Sequence, residues 1–332
     1  MKVAILGATG ETGTSILNGL LESVDPRYEI TALVRPSSLQ KPEVLALEKR
    51  GVKVAAADIY GPEEELTKLL RGMEVVIAAI NAPQLLAQIP LINSCKAAGV
   101  KRFVPCNFAT IAPPKGILRL RDMKEDVINH IKRTYVPYTI IDVGWWFQLT
   151  LPALPSGRLD YALVGAPDAI AGDGSVPSAL TDLRDVGRYV ARIIADPRTL
   201  NQMVFAYNEL LTQTQVYDLL ERVSGETIQR NYVPVEDILA GAAEAAASDV
   251  TPDSPAFYKL AQFQYWHTWG IRGDNTPEYA RYLGYLNAKE LYPDLEGKTL
   301  EAYCQELLNG DGKGVYQQMK VALAKSVKEG KA

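Results

Sequence analysis

Residues 1–13 read MKVAILGATGETG, and this stretch decides the fold. The apolar run Lys2–Leu6 is typical of a buried strand in a parallel sheet. Ser15–Leu21 follows, with its apolar residues spaced as on one face of a helix. The stretch therefore predicts a strand, a glycine-rich turn and a helix in immediate succession.

The spacing of the glycines in that turn is typical of a site for a dinucleotide. Gly7 permits a sharp turn, Gly10 lets the backbone approach a pyrophosphate, and Gly13 lets the helix pack closely against the strand. The N-terminus of the helix attracts the anion. The residues predicted to bind the cofactor here are Gly7, Thr9, Gly10, Glu11, Thr12 and Gly13. A glycine-rich turn that holds no ligand is the alternative.

The N-terminal half of the chain alternates apolar runs with helical patterns. Further strands are predicted at Ile30–Val34, Lys53–Ala56, Val75–Ile80, Arg102–Pro105 and Tyr138–Val143. Helices are predicted between them at Pro42–Lys49, Glu64–Leu69, Leu85–Ala98 and Asp122–Arg133. Strands that alternate with helices at this spacing predict an α/β fold with a Rossmann doubly wound parallel sheet.

The pattern changes after about residue 152, where proline and glycine become frequent and the long alternation ends. We predict a dinucleotide-binding Rossmann domain over residues 1–152. A smaller C-terminal α/β lobe that binds the substrate is predicted over residues 153–332. Parts of 178–235 could return to the Rossmann sheet.

The composition of the 332-residue chain is that of a folded globular protein, with 47% hydrophobic and 22% charged residues. A net charge of −4 gives no electrostatic reason to expect a polyanion, so no nucleic-acid partner is expected. Three cysteines and two histidines, widely spaced, predict neither a metal site nor a disulfide framework. The chain has no apolar run long enough to span a membrane and no recognisable signal peptide. We therefore expect a cytoplasmic protein without a membrane partner.

The ends of the predicted strands indicate which dinucleotide binds. An acid after the second strand would bind the ribose of NAD, but Arg35 stands there, and its planar guanidinium suits the 2′-phosphate of NADPH. NADPH is therefore the predicted cofactor, and an arginine that only meets solvent is the alternative. Asp58 is predicted near the adenine, although an exposed loop acid explains it equally well. Asn81 is predicted to flank the middle of the cofactor, because ligands bind at the carboxyl ends of parallel strands.

A hydride-transfer site also needs a group that gives or takes a proton. The usual short-chain dehydrogenase pattern, Tyr-x-x-x-Lys, is met at Tyr316–Lys320, close to the C-terminus. We interpret this match as a coincidence far from the ligand edge of the sheet. Another group must then carry the proton.

Several short motifs follow one another along nearly the whole chain. They are Gly7–Gly13, Ala98–Pro105, Lys124 with Val136–Thr139, Gly172–Gly174 with Asp185–Gly187, Asp196–Asn201, Tyr232–Pro234 and Leu291–Asp294. In this order and spacing the chain resembles the isoflavone reductase-like, or NmrA-like, family of atypical short-chain dehydrogenases. Phenylcoumaran benzylic ether reductases and pinoresinol–lariciresinol reductases belong to that family.

The resemblance implies that Lys124 is the acid or base, because the family's lysine stands at the same spacing before its Pro-Tyr-Thr triplet. A partly buried ammonium can titrate closer to neutrality than an exposed one. The resemblance also places Asn107, Phe108 and Lys124 beside the cofactor. Asn107 departs from the family, which has an acid there. The residues after the sixth strand are bulkier than the family's, so the plant substrates are not carried over.

Aromatic residues predict the nature of the substrate. Trp145, Trp146 and Phe147 follow the sixth strand and would suit a planar, aromatic or polyketide-like molecule, with His267 as a polar contact. Core packing is the alternative for the aromatic residues, and a structural role is the alternative for His267. Core packing is favoured for Tyr265, in the second aromatic cluster, and for Cys106.

These observations together predict an NADPH-dependent reductase of a secondary metabolite, with Lys124 as the proton donor or relay. Two alternatives stay open: an NADP(H)-sensing regulatory protein without turnover, and a redox-neutral isomerase on the same scaffold. The chain is expected to be a monomer or a homodimer.

Overall fold

A computed structural model of the chain describes residues 1–164, 169–317 and 320. Its strands are β1 (Lys2–Leu6), β2 (Glu29–Val34), β3 (Lys53–Ala56), β4 (Val75–Ala78), β5 (Arg102–Val104), β6 (Thr139–Asp142), β7 (Trp145–Trp146), β8 (Ile170–Ala171), β9 (Ser178–Thr181), β10 (Gln202–Phe205), β11 (Glu209–Leu211), β12 (Tyr232–Val233) and β13 (Leu286–Asn287). Its helices are α1 (Glu11–Glu22), α2 (Pro42–Lys49), α3 (Glu63–Leu70), α4 (Gln88–Ala98), α5 (Arg119–Thr134), α6 (Leu183–Ala195), α7 (Gln213–Ser224), α8 (Val235–Ala246), α9 (Pro255–Tyr265), α10 (Pro277–Tyr282), α11 (Ala288–Leu291) and α12 (Leu300–Leu308). Among the described residues no helix is both long and apolar enough to cross a membrane.

The central sheet begins with five parallel strands in the order β3-β2-β1-β4-β5. The register pairs Ile5 of β1 with Ala32 of β2 on one side and with Ile77 of β4 on the other. The chain reverses its direction of winding between β3 and β4, which places a crevice at the carboxyl ends of β1 and β4. This topology confirms the predicted α/β class and its Rossmann sheet.

Three more parallel strands continue this sheet, in the order β6-β10-β13. Phe103 of β5 forms a parallel bridge with Tyr138, and its N–H donates to the carbonyl of Pro137 at 2.8 Å. Strand β10 lies within 178–235 and pairs with β6, and β13 comes from later in the chain. The division into lobes at residue 152 stays a prediction, because strands from beyond it complete this layer.

Helices α1 and α6 pack together at a glycine-to-glycine contact. A Cβ atom on Gly187 would lie 1.8 Å from the carbonyl oxygen of Ser15, and one on Gly19 would lie 2.1 Å from the carbonyl carbon of Gly187. The hydroxyl of Ser15 donates to Leu183 at 2.5 Å and accepts from the N–H of Gly187 at 3.0 Å. This contact holds an element from the second half of the chain against the first helix.

The predicted helix Leu85–Ala98 is two elements in the structure. A 3₁₀ helix covers Ala82–Ala87, and α4 begins only at Gln88. Pro90 lies in the first turn of α4, where a missing N–H costs no intrahelical hydrogen bond, whereas the middle of one continuous helix would not tolerate it. The end of α4 was predicted correctly, since Gly99 closes it with φ of 73°.

Smaller sheets contain the remaining strands. Strand β9 pairs with β7 in parallel and with β11 in antiparallel fashion, and β8 pairs with β12. Residues from α7 and α12 enclose a separate apolar core beneath them, which includes Leu220 and Leu307. Because β7 directly follows β6, this second core adjoins the ligand edge of the central sheet.

Candidate active site

A cavity of about 670 Å³ opens at the carboxyl ends of β1, β4, β5 and β6. The segments that follow these four strands border it with Gly10–Thr12, Ala79–Pro83, Cys106–Ala109 and Gly144–Trp146. Side chains from α5, α9 and the C-terminal segment close the opposite side. The cavity therefore lies where ligands bind in doubly wound sheets.

The turn after β1 has the shape that a diphosphate requires. Gly7 has φ of 83°, and a Cβ atom on it would lie 2.1 Å from the carbonyl oxygen of Ala79. A Cβ on Gly13 would lie 2.0 Å from the carbonyl oxygen of Gly7, which explains the close packing of α1 on β1. Gly10 borders the cavity, and no described side chain caps the start of α1 there. The first N–H groups of Glu11 and the residues after it are thus available to an anion.

Some of the other residues predicted to bind the cofactor border the cavity, and some do not. Asn81 borders it. Thr9, Arg35 and Asp58 are exposed and lie outside its lining. The guanidinium of Arg35 forms no hydrogen bond or ion pair within the described ranges. One carboxylate oxygen of Asp58 accepts from the N–H of Tyr60 at 3.0 Å and so closes its own turn.

Lys124 lies on the inner face of α5, with 7% of its surface exposed, and it borders the cavity. Its ammonium donates to the backbone carbonyl of Asn107. Phe108 follows with φ of 24°, in the left-handed region, and its N–H donates to Ile141 of β6 at 2.9 Å. Burial lowers the pKa of Lys124, while the nearby carboxylate of Asp142 opposes that shift. The pKa of this ammonium is therefore lower than that of an exposed lysine.

Aromatic rings form one wall of the cavity. Trp145 packs against Tyr265 with ring centres 4.9 Å apart and against Trp269 at 5.9 Å. The indole N–H of Trp145 donates to the carbonyl of Leu149 at 3.3 Å, which fixes the ring. The preference for core packing at Tyr265 was wrong, because this ring borders the cavity. Helical spacing alone could not tell a core-facing position from a cavity-facing one.

Tyr316 also borders the cavity, so the prediction that it lies far from the ligand edge was wrong. Its ring stacks on Trp146 with centres 6.1 Å apart, and its N–H donates to the carboxylate of Glu11 at 2.8 Å. Lys320 does not join it, because its ammonium donates to the carbonyl of Asp160. Tyr316 thus enters the site without the lysine of the Tyr-x-x-x-Lys pattern. The return of the chain after α12 is a tertiary feature that no local pattern reveals.

Two residues predicted to bind the substrate lie outside the cavity lining. Phe147 is fully buried and packs on Tyr303 with ring centres 6.0 Å apart, in the core beneath β9. His267 is half-buried in a π-helical turn, Trp266–Arg272, and burial together with Arg272 lowers its pKa. The side chains of Trp145 and Trp146, by contrast, both border the cavity.

A buried polar cluster beside Lys124 was missed in the sequence. The carboxylate of Asp142 is fully buried, and it accepts from Arg121 at 2.9 Å, from the hydroxyl of Tyr285 at 2.6 Å and from the amide of Asn107 at 3.4 Å. Asp142 is the one charged residue of β6, which otherwise reads as a buried apolar strand. A charged residue in an otherwise apolar strand was the sequence signal that could have indicated this buried cluster.

Comparison with known proteins identifies the family. The model of the NmrA-like family matches residues 1–303. Asnovolin J 5′,6′-dehydrogenase of Aspergillus novofumigatus is 49% identical over 314 residues, which covers 93% of this chain and 96% of that protein. Phenylcoumaran benzylic ether reductase TP7 of Nicotiana tabacum is 29% identical over 318 residues, covering 91% and 97%.

A solved structure has the same fold. The binary complex of leucoanthocyanidin reductase with NADPH, from Vitis vinifera, superimposes with a TM-score of 0.78 at 23% identity, covering 93% of this chain and all of that one. The relatives named above are a dehydrogenase and reductases, which bears out the prediction of an oxidoreductase, and NADPH is the cofactor named in that complex. Over nearly its full length, the chain belongs to the NmrA-like family.

Proposed function

We propose that the protein is an NADPH-dependent oxidoreductase that transfers a hydride between the cofactor and a neutral aromatic or polyketide-like secondary metabolite, with Lys124 as the proton donor or relay. One observation carries the proposal. The glycine-rich turn, the buried ammonium of Lys124 and the aromatic wall all border the same cavity. A dinucleotide-sensing protein without turnover has no need of a buried ammonium inside an aromatic cavity.

Each part of the cavity has a distinct task in this chemistry. NADPH supplies the hydride when it is bound. The turn after β1 would bind the diphosphate through backbone N–H groups, and Asn81 would lie beside the cofactor. The aromatic wall excludes water and orients the substrate. Lys124 holds a proton on Nζ, where a developing oxyanion could take it.

The charges around the cavity favour a neutral substrate. Among the described lining residues, Glu11 and Lys124 are the only charged ones. Glu11 accepts from the N–H of Tyr316, and Lys124 is assigned to the proton, so neither is left to pair with a charged substrate. Trp145, Tyr265 and Trp269 offer ring faces on which a planar or polycyclic molecule can stack.

The decisive experiment measures both directions of hydride transfer, because the relatives are named as reductases and as a dehydrogenase. NADPH consumption is followed with aromatic ketones, enones and quinones, and NADP⁺ reduction is followed with the corresponding reduced compounds. Turnover with a neutral aromatic or polyketide-like compound supports the proposal. Tight NADPH binding without turnover on the whole panel would favour the sensing function instead.

Arg35→Ala is expected to weaken NADPH binding about tenfold to a hundredfold, because charge-assisted hydrogen bonds to the 2′-phosphate would be lost. NADH lacks that phosphate, so its affinity should not change. Arg50→Ala is the matched control, since Arg50 is another exposed arginine of this region, bonded to Asn18 at 2.8 Å. Titration by fluorescence measures both affinities. A wild-type protein that binds NADH as tightly as NADPH contradicts the assignment.

Trp145→Ala is expected to raise the KM for the substrate about tenfold, because the ring removes apolar surface from water and stacks on the substrate. NADPH affinity should stay within about twofold, since Trp145 belongs to the wall and not to the turn. Trp145→Phe keeps a ring at the same position and should recover most of the loss. Initial rates as a function of substrate concentration test this. An unchanged KM in the alanine variant would assign Trp145 to packing alone.

A further inference from the structure

Asp142 is a buried carboxylate that the proposed chemistry does not use. None of its surface is exposed, although it stands at the end of β6, beside the loop that borders the cavity. Burying a charge is unfavourable unless partners compensate it. Its three partners are Arg121 at 2.9 Å, Tyr285 at 2.6 Å and Asn107 at 3.4 Å.

Asn107 connects this carboxylate to Lys124. Its side-chain amide donates to Asp142, while its backbone carbonyl accepts from the ammonium of Lys124. Arg121 makes a second connection, because it stands one turn before Lys124 on α5 and donates to the same carboxylate. Asp142 is thus connected to Lys124 in two ways, through Asn107 in the loop after β5 and through Arg121 on α5.

The charges of the cluster balance only while Lys124 is protonated. Arg121 forms ion pairs with Glu125 at 2.7 Å and with Asp142 at 2.9 Å. Two carboxylates and one guanidinium leave one negative charge, which the ammonium of Lys124 neutralises. Loss of the lysine proton therefore leaves a net negative charge in a buried environment, where electrostatic interactions are stronger than in water.

We propose that Asp142 is a positioning residue for Lys124, which holds the ammonium toward the cavity through Asn107 and keeps it protonated until the substrate takes the proton. The inference rests on the proposed function, since it concerns the residue assigned to the proton.

Several other groups face Lys124 and take part in its titration. Cys106 comes from the loop after β5, and its thiol also borders the cavity. Arg121 opposes protonation of Lys124, whereas Asp142 favours it. Tyr265 from α9 lies near the same charges, and burial raises its pKa, so it stays a neutral phenol around neutral pH. Asp142 is the one carboxylate in this set.

The test measures the titration of Lys124 directly. The full-length protein is labelled with trace acetic anhydride over a series of pH values, and the modification of Lys124 is quantified by peptide mass spectrometry. In the wild type, Lys124 should stay protonated at neutral pH although its pKa is below that of an exposed lysine. Asp142→Asn should lower the pKa of Lys124 by about 1 unit. Because the proton donor must be protonated to act, the alkaline limb of the pH profile of kcat/KM should move to lower pH by the same amount.

Glu125→Gln is the matched control, because it removes a carboxylate that contacts Arg121 without the connection through Asn107. It should shift the titration of Lys124 less than Asp142→Asn does. A folded Asp142→Asn variant with unchanged Lys124 titration overturns the proposal, and so does an equal shift in Glu125→Gln. Should Asp142→Asn not fold, a wild-type Lys124 that is already deprotonated at neutral pH overturns it. The labelling of Lys124 needs no substrate. A protein without turnover would therefore contradict the proposed function, while the effect of Asp142 on the titration of Lys124 could still be measured.

Discussion

Replacing Lys124 by alanine is expected to lower kcat by about a hundredfold or more, because general acid–base catalysis contributes about 10²–10⁴ to the rate. The ammonium is buried at the cavity wall, and its loss removes the proton assigned to the substrate. NADPH affinity should change much less than kcat, because the proposed site for the diphosphate is the turn after β1. Steady-state rates and a separate cofactor titration on the same preparation distinguish these effects.

Two further variants sharpen this result. Lys132→Ala removes an exposed lysine from the same helix and should leave kcat unchanged. Lys124→Arg keeps a positive charge, but a guanidinium gives up its proton far less readily. It should therefore bind NADPH and remain slow. Normal turnover in Lys124→Ala would remove the lysine from the mechanism.

Replacing Gly187 by alanine is expected to lower the free energy of unfolding by about 3 kcal/mol, at the upper end of what overpacking usually costs. The added Cβ would lie 1.8 Å from the backbone oxygen of Ser15, so α1 and α6 would have to move apart. Separation would also break the two hydrogen bonds of the Ser15 hydroxyl. Urea unfolding followed by circular dichroism measures the loss.

Thr14→Ala serves as the comparison, because Thr14 is exposed on the helix that carries Ser15. Substitutions at such positions usually change stability by no more than about 0.5 kcal/mol. Equal stability of the Gly187→Ala variant and the wild type would mean that the two helices can separate at no cost. That outcome would contradict the close contact described above.

Local sequence patterns predicted the N-terminal sheet well. The bounds of β1 and β3 agree with the prediction, and those of the other four predicted strands differ by at most two residues at either end. The reason is physical: a buried parallel strand needs a continuous apolar run, and a βα turn at a ligand needs glycine. The same glycines indicated the position of the cavity. The family resemblance indicated Lys124 as a candidate for the acid or base, and this residue borders the cavity.

Long-range contacts could not be predicted in this way. Tyr316 reaches the cavity because the chain folds back across Glu11, and nothing near Tyr316 in the sequence indicates this. The partners of Asp142 come from α5, from the loop after β5 and from a residue beside β13. In the sequence, Gly187 is only a residue of low helix propensity, because nothing there shows that α1 packs against it. Each of these features depends on which distant segments meet.

The contact between α1 and α6 also matters while the protein is being made. Ser15 and Leu183 are 168 positions apart, so a ribosome that adds about 5–20 residues per second needs roughly ten to thirty seconds to deliver the second partner. During that interval the face of α1 that packs against α6 in the folded protein is uncovered. A nascent chain of this length would therefore offer an apolar surface to chaperones, and a fragment that ends near residue 152 would keep that surface permanently.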